Sequence, residues 1–233
     1  MDTERRQFFR NATATAVTTV VGAGVSLGLW PTGSDQNDGS DAAHAGSVDS
    51  SDGTIPLRPP GALAEDEFLA RCIRCLRCVE SCPNQAIVPL EVGSGNRGGG
   101  GSGGGQSVRD ATPVIQARRQ ACMLCAGIEG DTLKCGQACP SGALQVIRKD
   151  RDSIKSNVMM GTAVIDEALC YSYNNWSCGA CYRACPFGGE AMTLGLWERP
   201  TVHPEACIGC GLCERACIRY PQAIRVRTGG GGG

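Results

Sequence analysis

The chain repeats one cysteine pattern four times, and this repetition restricts the possible folds more than any other feature. The first copy, "RCIRCLRCVESCP", sets Cys72, Cys75, Cys78 and Cys82 at gaps of two, two and three residues and follows them with Pro83. The second places Cys122, Cys125, Cys135 and Cys139 before Pro140, and the third places Cys170, Cys178, Cys181 and Cys185 before Pro186. The fourth has Cys207, Cys210, Cys213 and Cys217, with Ile218 where proline is expected. All sixteen cysteines of the chain belong to this pattern, four to a copy. Aromatic residues make up only 5% of the sequence, low for a core built from side chains alone. Disulfides, zinc or iron–sulfur clusters are the candidates to organise such a chain.

The surroundings of the cysteines repeat as well. "CPNQAIVPL", "CPSGALQVI", "CPFGGEAMTL" and "CIRYPQAIRV" each place a small turn and then a short apolar run. Upstream, "ATPVIQARRQAC", "GTAVIDEALC" and "RPTVHPEAC" read as short strands entering the next group. The repeating unit is therefore strand, cysteine loop, one helical turn, turn, strand. The expected class is α+β: tandem dicluster modules of short β-hairpins and short helices around metal clusters, spanning residues 61–227.

The spacing has a chemical reason. In a cube of four irons and four sulfides the irons sit at alternating corners. A loop with two-residue gaps curls back so that three thiolates meet three irons of one cube. The fourth cysteine lies about 6 Å further along if that segment is helical. In bacterial two-cluster ferredoxins this fourth cysteine binds the other cube. A following proline disfavours helix in the cysteine before it and releases the chain into a strand. Zinc needs neither the third cysteine nor the cysteine-proline, and adjacent C-x-x-C-x-x-C groups make poor disulfide staples. No C-x-x-C is followed by histidine, which excludes attached haem, and the chain has only His44 and His203. The pattern predicts four [4Fe–4S] clusters held by all sixteen cysteines.

Two copies depart from the pattern. Nine residues separate Cys125 from Cys135, and seven separate Cys170 from Cys178. The seven, "YSYNNWS", carry Tyr171, Tyr173 and Trp176 and read as a lid over a cluster, with a partner-docking surface as the alternative. Each oxidised site carries two positive charges on its core against four thiolates, so four sites make a nearly neutral chain (formal charge −1) strongly negative. Arg71, Arg74, Arg77, Arg183, Arg215 and Arg219 interleave with the cysteines; they either compensate this charge or face solvent. The balance of 22 basic and 23 acidic residues gives no sign of nucleic-acid binding.

The N-terminus reads as an address. Arg5-Arg6 precede Phe8-Phe9 and an uncharged stretch from Ala12 to Trp30, the layout of a twin-arginine export signal (residues 1–45), with a membrane anchor as the alternative. Ala43-His44-Ala45 offers a small-x-small cleavage site. Proteins exported already folded by this route can carry cofactors inserted under reducing conditions. Residues 46–60 read as a flexible linker and 228–233 as a glycine tail. "GSGNRGGGGSGGG" (93–105) lacks the lysine-serine or lysine-threonine of a phosphate loop and reads as a flexible insertion at a hairpin tip.

The segments "PPGALAEDEFLARCIRCLRCVESCP", "CMLCAGIEGDTLKCGQACPSGAL", "CGACYRACP" and "VHPEACIGCGLCERACI" resemble the MauM/NapG ferredoxin-type proteins. The resemblance covers nearly all of residues 56–227, the leader and the missing last proline. It implies an exported electron carrier at the periplasm or the outer face of the cytoplasmic membrane. Electrons would come from a membrane-bound, quinol-oxidising ferredoxin-type partner and pass to a periplasmic reductase, directly or through a cytochrome. It leaves open whether neighbouring copies share clusters or pair in a nested way, first with fourth and second with third. Nesting is what the related four-cluster subunits of the dimethyl sulfoxide reductase superfamily suggest, and it is the arrangement expected here. No dinucleotide fingerprint, flavin site or acid–base constellation appears, so no small-molecule substrate and no catalysis are expected. The alternatives are a fixed electron-transfer subunit of a molybdenum oxidoreductase and a structural metal-binding module.

Overall fold

The computed structural model describes residues 55–91 and 108–229. Residues 1–45, read as an export signal, most of the residues read as linker, the glycine insertion and residues 230–233 lie outside the described residues.

Each cysteine copy contributes one short helix: α2 Arg77–Glu80, α3 Lys134–Ala138, α5 Ala180–Ala184 and α6 Leu212–Ala216. Three of them start from a residue in the left-handed region, Leu76, Gly179 and Gly211, with φ of 58°, 55° and 82°. This reversal lets the cysteine loop curl and then enter a helix within one residue. Cys139 and Cys185 close α3 and α5 in extended conformation (ψ 107° and 123°), as a following proline demands. Cys217 does the same without proline (ψ 118°), so Ile218 leaves the turn unchanged.

Six short strands follow the repeat. β1 (Ile87–Pro89) pairs antiparallel with β2 (Pro113–Ile115), the two strands that flank the glycine insertion. β3 (Thr162–Ile165) pairs with β6 (Ile224–Arg227), and β4 (Met192–Leu194) with β5 (Pro200–Val202), both antiparallel. The expected strand after the second copy is reduced to single bridges, Ala62 with Leu144 and Thr132 with Arg148.

Among the described residues, two α-helices lie outside the repeat. α1 (Glu65–Arg71) opens with Glu65, Asp66 and Glu67 and ends on Arg71, charges that complement its dipole. Its Phe68 is fully buried. α4 (Arg151–Asn157) is capped by Asp150, whose carboxylate accepts from the Ser153 N–H at 2.9 Å. Glu190 fastens α4 to the turn after Cys185 by accepting from Arg151 (2.6 Å) and Lys155 (2.5 Å). Arg151 also lies 4.6 Å over the ring of buried Phe187. The hydrogen bonds from Lys155 and Arg151 hold the Glu190 carboxyl down at about 2. This contribution to stability is complete above the carboxyl's ordinary value of 4.5 and disappears as pH falls through about 2. At neutral pH Glu190→Gln should melt below the parent chain, and the gap should narrow in about 1 M salt, because the pair is exposed to screening. Equal melting temperatures at low salt would refute this role.

The linker ends earlier than expected. Residues 56–60, read from sequence as its C-terminal part, are packed into the fold. Pro56, Arg58, Pro59 and Pro60 are buried, and the Ile115 N–H donates to the Leu57 carbonyl at 2.8 Å. The physical reason is Arg58, which forms a fork with Glu65 (2.9 and 2.7 Å) and donates to Thr112 Oγ1 (2.7 Å) and the Pro113 carbonyl (3.1 Å). Thr228, expected in the tail, donates to the Ile55 carbonyl.

The main core runs from Phe68, Ile87, Ile115 and Leu133 to Phe187, Ala191, Ile208 and Cys210. It is therefore continuous between the two pairs of copies. Backbone contacts seal the junction: the Cys122 N–H donates to the Cys210 carbonyl (3.0 Å) and the Met160 N–H to the Ile208 carbonyl (3.1 Å). Gly209 is required there, since its φ is 71° and a Cβ would stand 2.4 Å from Gly161 N and O.

Candidate metal centres

All sixteen cysteines are free thiols. They gather into four quartets, each built from three cysteines of one copy and the last cysteine of its neighbour. Cys72, Cys75 and Cys78 line one pocket together with Cys139. Cys185 joins Cys207, Cys210 and Cys213 in a second, and Cys217 joins Cys170, Cys178 and Cys181 in a third. Cys82, Cys122, Cys125 and Cys135 form the remaining quartet. There Cys135 interacts with Cys125 and Cys82, and Cys122 with Cys135 and Cys82.

This arrangement corrects the nested pairing. The first copy exchanges its fourth cysteine with the second, and the third with the fourth. The contact of α5 with α6 and of α2 with α3 brings the last cysteine of each helix to its neighbour's loop. Copies far apart in sequence are not exchanged, because α2 packs on α3 and α5 on α6.

The quartets stand in a row. Cys78 interacts with Cys139 in its own quartet and with Cys135 in the next. Cys122 interacts with Cys210 across the junction, and Cys213 interacts with Cys181 of the last quartet. The order is thus the Cys72, Cys82, Cys207 and Cys170 quartets. In the first, Cys75 is exposed and Cys78 buried; in the two middle ones Cys135, Cys210 and Cys213 are buried and the other cysteines partly buried.

Burial pushes the thiols up, to about 11 for Cys78, Cys181 and Cys210 and about 12 for Cys135. Neighbouring thiols add to this, Cys139, Cys72 and Cys75 in the case of Cys78. Cys122 and Cys213 are raised further by the same causes. Backbone N–H groups oppose the effect, that of Leu124 at Cys122, Tyr182 at Cys181 and Leu212 at Cys210. At Cys139, burial pushes up but the donors of Leu144, Ser141 and Ala143 outweigh it, so the thiol is lowered. Bringing four thiolates together in such surroundings requires a cationic occupant.

The residues fit an iron–sulfur cube. The sulfurs ring a space instead of meeting at a point, and among the described residues no three ligating side chains are close enough to hold a single metal ion. Tetrahedral zinc would need such convergence. Amide donors face the sulfurs, as at Ala86 to Cys82 Sγ (3.4 Å) and Leu144 to Cys139 Sγ (3.5 Å).

The aromatic insertion acts as a lid only in part. Tyr171 and Ser172 line the pocket of the last quartet. Tyr173 turns away to donate to the Pro200 carbonyl (3.1 Å), and Trp176 is 72% exposed. Of the six interleaved arginines, Arg71, Arg74, Arg77, Arg183 and Arg215 are exposed. Arg219 is turned inward, over the Tyr171 ring. Nothing in the local sequence pattern marks Ser172.

Two segments match the 4Fe-4S dicluster domain, residues 71–143 and 162–218. Each takes in two neighbouring copies, the same division that the quartets make. Fold and site thus define a ferredoxin-type electron-transfer protein of two tandem 4Fe–4S dicluster domains. The methylamine utilization ferredoxin-type protein MauM of Methylorubrum extorquens is 37% identical over 177 residues, 73% of this chain and 71% of that protein. The ferredoxin-type protein NapG of Escherichia coli K12 is 34% identical over 95% of this chain and 84% of its own length. NapG of Haemophilus influenzae is 33% identical over 97% and 72%. The chain belongs to the MauM/NapG family of ferredoxin-type proteins.

Proposed function

We propose that the chain relays single electrons through four [4Fe–4S] clusters, one in each quartet. The observation that carries this reading is the row: each quartet adjoins the next, and three cysteines of the middle ones, Cys135, Cys210 and Cys213, are buried. Each cluster supplies a one-electron couple when bound. The thiolates would hold it and the surrounding N–H groups would set its potential, while the Cys122 N–H, donating to the Cys210 carbonyl, ties the two middle quartets together. The route is proposed to run from a membrane-bound, quinol-oxidising ferredoxin-type protein to a periplasmic reductase or cytochrome. Similarity to NapG and MauM and the twin-arginine layout of residues 1–45 support it. The chain offers no acid–base or substrate constellation, so it is proposed to carry electrons without catalysing a reaction of its own.

Anaerobically purified protein should contain about sixteen iron and about sixteen acid-labile sulfide per chain, and should show reversible one-electron steps in a redox titration followed by electron paramagnetic resonance. A colourless chain, folded in air without iron, would overturn this reading. A loaded chain whose clusters do not cycle would make them structural.

A further inference from the structure

Among the described residues, two buried side-chain polar atoms lack a hydrogen-bond partner: Ser172 Oγ and Arg219 Nε. Both residues line the same pocket, the one ringed by Cys170, Cys178, Cys181 and Cys217. Ser172 is 1% exposed. The Arg219 guanidinium lies 5.3 Å from the Tyr171 ring centroid, which supports one of its faces. Buried donors are nearly always used, and two unused ones at a single pocket call for an acceptor inside it. Cluster sulfur, rich in electrons and negatively charged, is such an acceptor.

The other pockets are different. Around Cys185, Cys207, Cys210 and Cys213 the lining holds no polar side chain besides the thiols. Around Cys72, Cys75, Cys78 and Cys139, Ser141 is engaged with Cys139 Sγ (3.6 Å), and Arg74 donates to the Val108 (2.6 Å) and Asp110 (3.1 Å) carbonyls.

We propose that Ser172 and Arg219 donate to the cluster face held by Cys170, Cys178, Cys181 and Cys217, and that they make this site, at one end of the row, the most readily reduced of the four. The inference rests on the four-cluster reading above. Reduction here adds one electron; no bond forms or breaks, and both protons stay on their donors. The site becomes more negative by one charge. A fixed cation and a hydroxyl dipole stabilise that state more than the oxidised one, so the potential rises. Electrons entering the row collect at this end.

The test is a redox titration of the loaded full-length chain, with iron measured per chain, for the parent, Ser172→Ala, Arg219→Gln and Arg219→Lys. Cys178→Ala, which removes a ligand of this quartet, identifies its titration step. In the parent that step should be the one of highest potential. Arg219→Gln should lower its reduction equilibrium about tenfold, equivalent to about 59 mV for one electron, with the other three steps unmoved. Arg219→Lys should recover part of the shift, and Ser172→Ala should shift the same step in the same direction. Full iron content with an unmoved step, or a highest step that survives Cys178→Ala, overturns the inference while the relay stands. If Arg219→Gln loses iron, Ser172→Ala, which removes only a hydroxyl, decides the matter. A parent with fewer than four clusters would fail the relay itself.

Discussion

Cys139→Ala should remove the same four irons that Cys78→Ala removes, and leave those held with Cys122 in place. Cys139 ends the second copy, yet it lines the pocket of Cys72, Cys75 and Cys78. Iron should fall by about a quarter, about four atoms per chain. The Cys122 quartet should keep its iron but become less stable, since Cys78 stands beside its Cys135, and metal loading here is folding free energy. Iron analysis and electron paramagnetic resonance of Cys139→Ala, Cys72→Ala and Cys170→Ala settle the outcome. Under nested pairing Cys139→Ala would instead match Cys170→Ala, and that result would sink the exchange between neighbouring copies.

Arg58→Ala should cost about 3–5 kcal/mol, the range for removing one partner of a buried ion pair. The Arg58 and Glu65 side chains are only 7% and 10% exposed. Arg58 ties α1 to the Thr112–Pro113 backbone that leads into β2, and it covers Phe68 at 4.6 Å. Its loss leaves Glu65 buried with Arg109 (3.1 Å) as its remaining ion pair. Denaturant titration of the anaerobic, loaded protein measures the loss. Arg58→Lys should recover less than half of it, because lysine lacks the planar fork. A loss below about 1 kcal/mol would show that the pair is ornamental to the fold.

These two sites mark the boundary of what the sequence makes legible. Gaps of two, two and three with a following proline are chemical requirements written in residue order, so the cysteines, the short helices after them and most strands can be read directly. Which copies exchange Cys82, Cys139, Cys185 and Cys217 is not local: it follows from how α2 meets α3 and α5 meets α6. Arg58 sits among prolines in a stretch without periodicity, and its partner Thr112 lies 54 residues away, so the segment reads as linker. α4 is missed for a related reason. Asp150 and Ser153 are a recognisable cap, but Ile154 is the only residue of this helix that is buried, which is too faint for a periodic signal. Arg219 is legible as one of the arginines interleaved with the cysteines, but Ser172 becomes visible only when its unused hydroxyl is found lining the same cavity.

The exchange of fourth cysteines between neighbours also says how a molecule of this kind can change size. No single copy completes a binding site, since each lends one sulfur and borrows another. Gene duplication can therefore lengthen such a conductor, or deletion shorten it, in steps of two stations and never one.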